Sequence, residues 1–323
     1  MKNLKHILGT LLLAALVFTS CTNNNDDFII PATAQEFDAI REQALEDLTQ
    51  TFQFNAEAGS VNFTSEKGVE IQINGSCLTK NGVAVTGAVK LEFVEIFNKG
   101  SMLTTNKPTM GILPNGDKAL LISGGEFFVK ATQNGVALET NCGFQMQIPT
   151  NLTGGPDNGM TLWNGIIDDE GNLAWAEEKR GGANGQGGVF VEGNQYYGFF
   201  QSFGWSNVDR FYSDPRPKTT ILVGVPTGYD NTNSSVYLSY DGEESGLAGL
   251  DTYDPLTGLF SEHYGQIPIG LECHVIFVSE EDGNWKYAIK AVTITANGVI
   301  TFTEGETSTA TEAQLTTIIN GLP

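Results

Sequence analysis

Cations are scarce in this chain. Seventeen Lys and Arg stand against 38 Asp and Glu in 323 residues, giving a formal charge of −21. Such a field repels nucleic acid, and no basic stripe offsets it locally, so a nucleic-acid partner is not expected. The acids are scattered among Gly, Asn and Thr, a distribution that suits solubility as well as an acidic recognition surface.

Metal-binding and nucleophilic residues are also few. There are four cysteines and three histidines, and no CxxC pair, so neither a metal cluster nor a cofactor is expected. Hydrolysis by an activated nucleophile needs a base beside a Ser or Cys. Gly-x-Ser-x-Gly does not occur, and Cys273 and His274 are neighbours in a strand-like run, where adjacent side chains point to opposite faces. His263 lies in LFSEHYGQ. Glycoside hydrolysis needs two carboxylates at a set separation, and nothing in the order of residues selects a pair. No catalytic residue is assigned, and the expectation is a protein that is not an enzyme.

What is present begins with a leader. Lys2 and Lys5 precede a twelve-residue apolar run, Ile7 to Phe18, which ends in Thr19-Ser20-Cys21. That run is too short to span a bilayer stably but fits an export signal. Small residues before a cysteine at this distance resemble the lipobox of bacterial lipoproteins, with Phe18 standing where Leu is usual. The resemblance implies removal of residues 1–20 and acylation of Cys21, which would tie the chain to a membrane through its N-terminal lipid. TNNNDD follows, and Asp26 and Asp27 resemble the surface-export signal of Bacteroidota lipoproteins, implying an outer-membrane, surface-exposed location. Beyond Cys21 only Cys77, Cys142 and Cys273 remain, so at most one disulfide forms among them. Cys142 and Cys273 sit in apolar runs where a buried thiol is the commoner state.

Thr33 to Gln50 reads as an amphipathic helix. Thr33 and Glu36 have capping-box spacing, and Phe37, Ile40, Ala44 and Leu48 share a face with Leu45 beside them. Docking on the body and binding a partner are both open to it. From about Phe52 the period becomes two: Val69, Ile71 and Ile73 alternate in GVEIQING, and Val89, Leu91 and Phe93 in AVKLEF. EFFVKA, FQMQIP, TLWNGII and NLAWAEE continue the pattern, as do TTILVGV, SSVYLSY, CHVIFVS and WKYAIKAVTIT. Asn81-Gly82, Asn115-Gly116, Asn134-Gly135 and Asn297-Gly298 have hairpin chemistry, because Asn before Gly tolerates positive φ at both positions. Asp168 to Asn172 and Glu281 to Asn284 read as further tips, since neither has EF-hand ligand spacing. RGGANGQGG, from Arg180 to Gly188, reads as a mobile loop, and a terminal helix is expected with Thr309 and Glu312 as its capping box.

The stretch EKGVEIQINGSCLTKNGVAVTGAVKLEFVEI resembles the opening of a ZU5-like β-sandwich module found in Bacteroidota surface lipoproteins. The matching positions are Asn81, Gly82, Val85, Gly87 and Val89, with Asn74-Gly75-Ser76 where Ile-Pro-Ala is usual. FGWSNVDRF and IPIGLECHVIFVSEEDGNWKYAIKAVTIT look like the second half of such lipoproteins. The expected fold is therefore mostly β: a tether and helix at 21–51, a ZU5-like sandwich at 52–150, and a second β-rich domain at 151–323 with a short terminal helix.

Asn194 to Asp214 carries eight aromatic residues, among them Tyr196, Tyr197, Trp205 and Tyr212 as candidates to stack on a ligand. The same run puts rings on both faces of a strand, which suits a core or a junction between sandwiches, with Asn207, Asp209 and Arg210 as a polar cluster there. The leading functional expectation is a lipid-anchored, non-enzymatic interaction or structural module. Surface capture of a glycan or peptide in support of nutrient uptake comes second, and a carbohydrate-active enzyme third.

Overall fold

The computed structural model describes residues 30–168, 171–179 and 188–323. The leader, Cys21 and the tether lie outside these residues, as do 169–170 and 180–187, which hold part of the tip after Asp168 and most of RGGANGQGG. The described chain is mostly β, with α-helices α1 (Ala34–Asp47), α2 (Lys99–Thr104) and α3 (Glu312–Asn320).

Four larger sheets build the body, with a small three-stranded sheet at one rim. Sheet I has eight strands, and its centre is the strand Lys118–Gln133 between Ala88–Ile96 and Gly204–Phe211. Sheet II runs Val189–Glu192, Gln195–Phe200, Phe144–Pro149, Glu70–Asn74 and Ser60–Thr64. Their inner faces share one core: Leu91, Phe93, Phe127 and Val129 from sheet I meet Ile71, Ile73, Met146 and Ile148 from sheet II. The alternation read in AVKLEF and GVEIQING is this inward set, each buried side chain contributing about 1.5–3 kcal/mol relative to exposure. Sheet III (Thr252–Asp254, Leu259–Pro268, Lys218–Gly224, Gly298–Thr301) and sheet IV (Ala248–Gly249, Ser234–Tyr240, Glu272–Glu281, Asn284–Thr293, Ser308–Ala310) form a second sandwich, with Ile221, Val223 and Phe260 packed on Val236, Val275 and Phe277.

Sheet I does not respect a division at residue 150. The strand Thr161–Ile167 pairs with Gly204–Phe211, which pairs with Lys118–Gln133, and Phe144–Pro149 pairs with Gln195–Phe200. The first sandwich therefore runs to Phe211, and the expected boundary is moved by about sixty residues, which among the described residues hold five strands. Residues 31–323 form a single compact unit. One strand explains the continuity: Phe127, Val129 and Ala131 serve the first core, whereas Leu120 and Ile122 serve the second.

The helices fill the space between sheets I and IV. α1 keeps its expected cap, with Glu36 N–H donating to Thr33 Oγ1 at 3.2 Å and Thr33 N–H donating to Glu36 Oε2 at 2.8 Å. It docks on the body: Phe37 is fully buried edge-on against Trp285, 6.2 Å between ring centres, and Ala44 is buried beside it. α2 has no strong sequence signal. Its Gly100 lies so close to α3 that an added Cβ would sit 2.6 Å from the Thr316 carbonyl oxygen, which only glycine permits. α3 starts later than its sequence suggests, capped by Thr311 with Gln314, because Ser308–Ala310 pairs as a strand with Trp285–Tyr287.

Most turn expectations hold. Asn81-Gly82, Asn134-Gly135 and Asp282-Gly283 all take positive φ at both positions and close hairpins. Asn297-Gly298 does not close one, because the strand it precedes, Gly298–Thr301, crosses to sheet III and pairs in parallel with Lys218–Gly224. One disulfide forms and Cys273 is buried as expected, whereas Cys142 departs from its expected burial. Cys142 is exposed and bonded to Cys77, while Cys273 is buried and free, its thiol pushed up to about 12 by burial.

Candidate functional site

Sheet II has one face in the core and one outside. FQMQIP shows why: Phe144, Met146 and Ile148 point inward, leaving Gln145 and Gln147 on the outer face. In the neighbouring strand Gln72 pairs with Gln145 and Glu70 with Gln147, and beyond it Asn62 pairs with Gln72 and Ser60 with Asn74. On the other side Phe199 pairs with Gln145 and Tyr197 with Gln147, and Phe190 pairs with Tyr197. Strand register thus sets a block of three rings beside a field of side-chain amides.

The rings are near-parallel. Phe190 and Tyr197 lie 5.0 Å apart between centres at 7°, and Phe190 and Phe199 lie 6.0 Å apart at 23°. Phe190 and Phe199 remain 40% and 37% exposed, unusual for adjacent phenylalanines with a core close by. Alongside Phe199 opens a cleft of about 590 Å³ lined by Gln72, Asn74, Asn141, Gln145 and Gln201, with Ser60 at one side and Cys142 on the rim. All of its eleven lining residues are uncharged. The cleft at Tyr287, Gln314 and Ile318 is uncharged as well, but it has a single side-chain amide where this one has five. Gln72 donates to Asn62 at 3.1 Å, fixing one amide of the field.

Of the four candidate stacking residues, the structure puts only Tyr197 on this face. Tyr196 is fully buried, its hydroxyl donating to the Gly155 carbonyl at 3.2 Å and accepting from Asp157 N–H at 3.1 Å. Trp205 is partly buried in sheet I, 5.2 Å from Phe128 and edge-on to Trp175 at 6.4 Å, with the Lys107 ammonium 5.3 Å from its ring. Tyr212 stands edge-on to Tyr240 at 5.2 Å and donates to Asp214. Trp163, Trp175 and Trp285 are buried. The aromatic run is therefore divided: Gly204–Phe211 lies within sheet I with both faces covered, while Gln195–Phe200 shows one face to solvent. Sequence reasoning missed Phe190 and singled out Tyr196 over Phe199. The strict alternation of Gln195, Tyr197 and Phe199 against Tyr196, Gly198 and Phe200 held the signal.

The polar cluster expected of Asn207, Asp209 and Arg210 is divided, Arg210 turning to a different partner. Asn207 donates to Asp209 at 2.6 Å and accepts from Ser123 at 3.0 Å, and Arg210 binds Asp157 at 2.5 Å. Arg210 and Asp157 line a second cleft of about 680 Å³ together with Glu243, whose carboxyl is raised by burial. Its single cation is already matched by Asp157.

The two histidines singled out in the sequence each have a partner. His274 Nδ1 is 2.8 Å from Asp241, and Ser239 faces His274 across the strand pair, yet the buried Ser239 hydroxyl has no hydrogen-bond partner. His274 is thus not positioned as its base. His263 Nδ1 pairs with Thr252 at 3.0 Å and its ring lies on Tyr264. Among the described residues no group of three or more His, Cys, Asp or Glu side chains is placed to hold a metal, and no helix is long and apolar enough to cross a membrane. No protein-family model matches the chain, and no curated protein matches it in sequence.

Proposed function

We propose that this is a lipid-anchored envelope protein whose β body is a non-enzymatic interaction module working through the outer face of sheet II. The lipobox-like ending at Cys21 supports the anchor, and the leader-like start supports a location outside the cytosol. A Cys77–Cys142 disulfide supports that compartment, since such bonds persist in oxidising surroundings. The likeness to ZU5-like lipoprotein modules rests on the residues around Asn81-Gly82, and Asp26 and Asp27 favour display at the outer-membrane surface.

The observation that carries the interaction reading is the uncharged, ring-edged cleft beside Phe199. Solvated strand faces are ordinarily dressed with charge, and half-exposed stacked phenylalanines are unfavourable unless something covers them. A photo-crosslinking residue at position 199 tests it in cells, with position 222 on sheet III as control, where Leu222 is similarly exposed. Envelope material captured at 199 and not at 222 is the expected result. Equal capture at both positions, or none at 199, removes this face as the working surface.

A further inference from the structure

The geometry points to an uncharged polysaccharide as the ligand of the sheet II face, its chain lying across the strands from the ring block to the amide field. This deepens the reading of that face as the working surface and rests on it.

Three observations select the ligand class. The first is charge. The cleft has no cation to receive a uronate, sulfate or phosphate, and the acidic body repels all three. It also has no carboxylate to receive a basic peptide. Of the acids on the outer face, Glu192 pairs with Gln195 at one end and Glu70 pairs with Gln147 in the row of Tyr197, and neither lines the cleft.

The second is hydrogen-bonding character. Gln72, Asn74, Asn141, Gln145 and Gln201 are all side-chain amides, donor and acceptor at once, with one N–H of Gln72 given to Asn62 and Asn74 Oδ1 accepting from Ser76 N–H. A hydroxyl is likewise donor and acceptor at once, so a polyol satisfies such a field without burying an unpaired charge. An extended peptide bonds instead through its main chain to an open sheet edge, and this cleft opens on a face.

The third is the pairing of chemistries. A sugar ring carries apolar C–H faces and a polar hydroxyl rim. Phe190, Tyr197 and Phe199 give the apolar contact and the amides lie directly across from Tyr197 and Phe199 in register. Five strands at about 4.8 Å spacing give roughly 19 Å of face, the length of on the order of four sugar units. A polymer, rather than a monosaccharide, is therefore the natural occupant.

Affinity electrophoresis of the full-length protein in detergent tests this against neutral glucans, mannans, xylans and galactans, a polyuronate, a sulfated glycan and an immobilised peptide library. Retardation by at least one neutral polymer is expected. Phe199→Ala or Gln145→Ala should weaken it about tenfold or more, as expected of central contacts, and Leu222→Ala should leave it unchanged. Circular dichroism melts establish that each variant is folded. Binding only of anionic polymers or peptides, lost in Phe199→Ala, overturns the ligand class while leaving the face in use. Neutral-polymer binding that survives both substitutions, or no binding at all, overturns the inference and the choice of face together.

Discussion

Glu126 and Asp209 are buried together inside sheet I, and three of their four carboxylate oxygens have no hydrogen-bond partner. Asn207 serves the remaining oxygen, on Asp209. Both carboxyls are raised well above the ordinary range, Glu126 by burial and then by Asp209, with Lys107 opposing; for Asp209 the cause is burial. Lys107 is itself pushed down to about 8 by burial, so it does not neutralise the pair at alkaline pH.

A group favoured in its protonated form by folding gives its full stabilisation below the unfolded carboxyl range and loses it as pH rises. Glu126→Gln should therefore be more stable than the parent at pH 8, by on the order of 1–3 kcal/mol. The gain should vanish near pH 4. Urea melts at the two pH values measure this, and a variant that is destabilised at both would show that the ionised carboxylate is held by a favourable field.

Glu262 gives a narrower window. It is 3% exposed, and burial pushes its carboxyl up to about 7 despite amides donated by Gln266 and Gly265, with Asp251 and Asp117 adding to the rise. The stability it contributes is complete below its ordinary value of 4.5 and is lost as pH climbs through about 7. The cost at pH 8 is on the order of 3 kcal/mol at most. Thermal melts should show Glu262→Gln gaining on the parent between pH 5 and pH 8. A constant offset across that range would contradict it.

The Cys77–Cys142 bond closes a sequence separation of 65 and borders the ring-edged cleft. Loop-closure entropy puts its worth at about 4 kcal/mol, less any residual order in the unfolded chain. Cys77→Ser with Cys142→Ser should lower the urea midpoint by the corresponding amount, and adding reductant to the parent should do the same. If polymer binding weakens in the reduced protein while the strands stay folded, the bond also shapes the cleft rim.

Local chemistry was legible in the residues, and partnership was not. Asn81-Gly82 and Asn134-Gly135 specify their turns through backbone conformation alone, and Thr33 with Glu36 specifies a helix start within four residues. Asn297-Gly298 has the same chemistry but a different outcome, because which strand follows as neighbour is decided by the distant Lys218–Gly224. Thr309 has a cap's spacing and becomes a strand residue once Lys286 pairs with it. In the site, alternation in FQMQIP marked Gln145 and Gln147 as outward, but their meeting with Phe199 and Gln72 depends on register across strands far apart in sequence. Tyr196 and Tyr197 differ by a single position, and that position decides core or surface.

The strand Lys118–Gln133 touches every hydrophobic cluster of the body: Leu120 and Ile122 one, Leu121 a second, Phe127 and Val129 a third, Phe128 the fourth. Neither sandwich is thus a cassette that recombination could lift out and graft elsewhere. A cut on either side of this strand leaves an unzipped seam of apolar side chains in what remains.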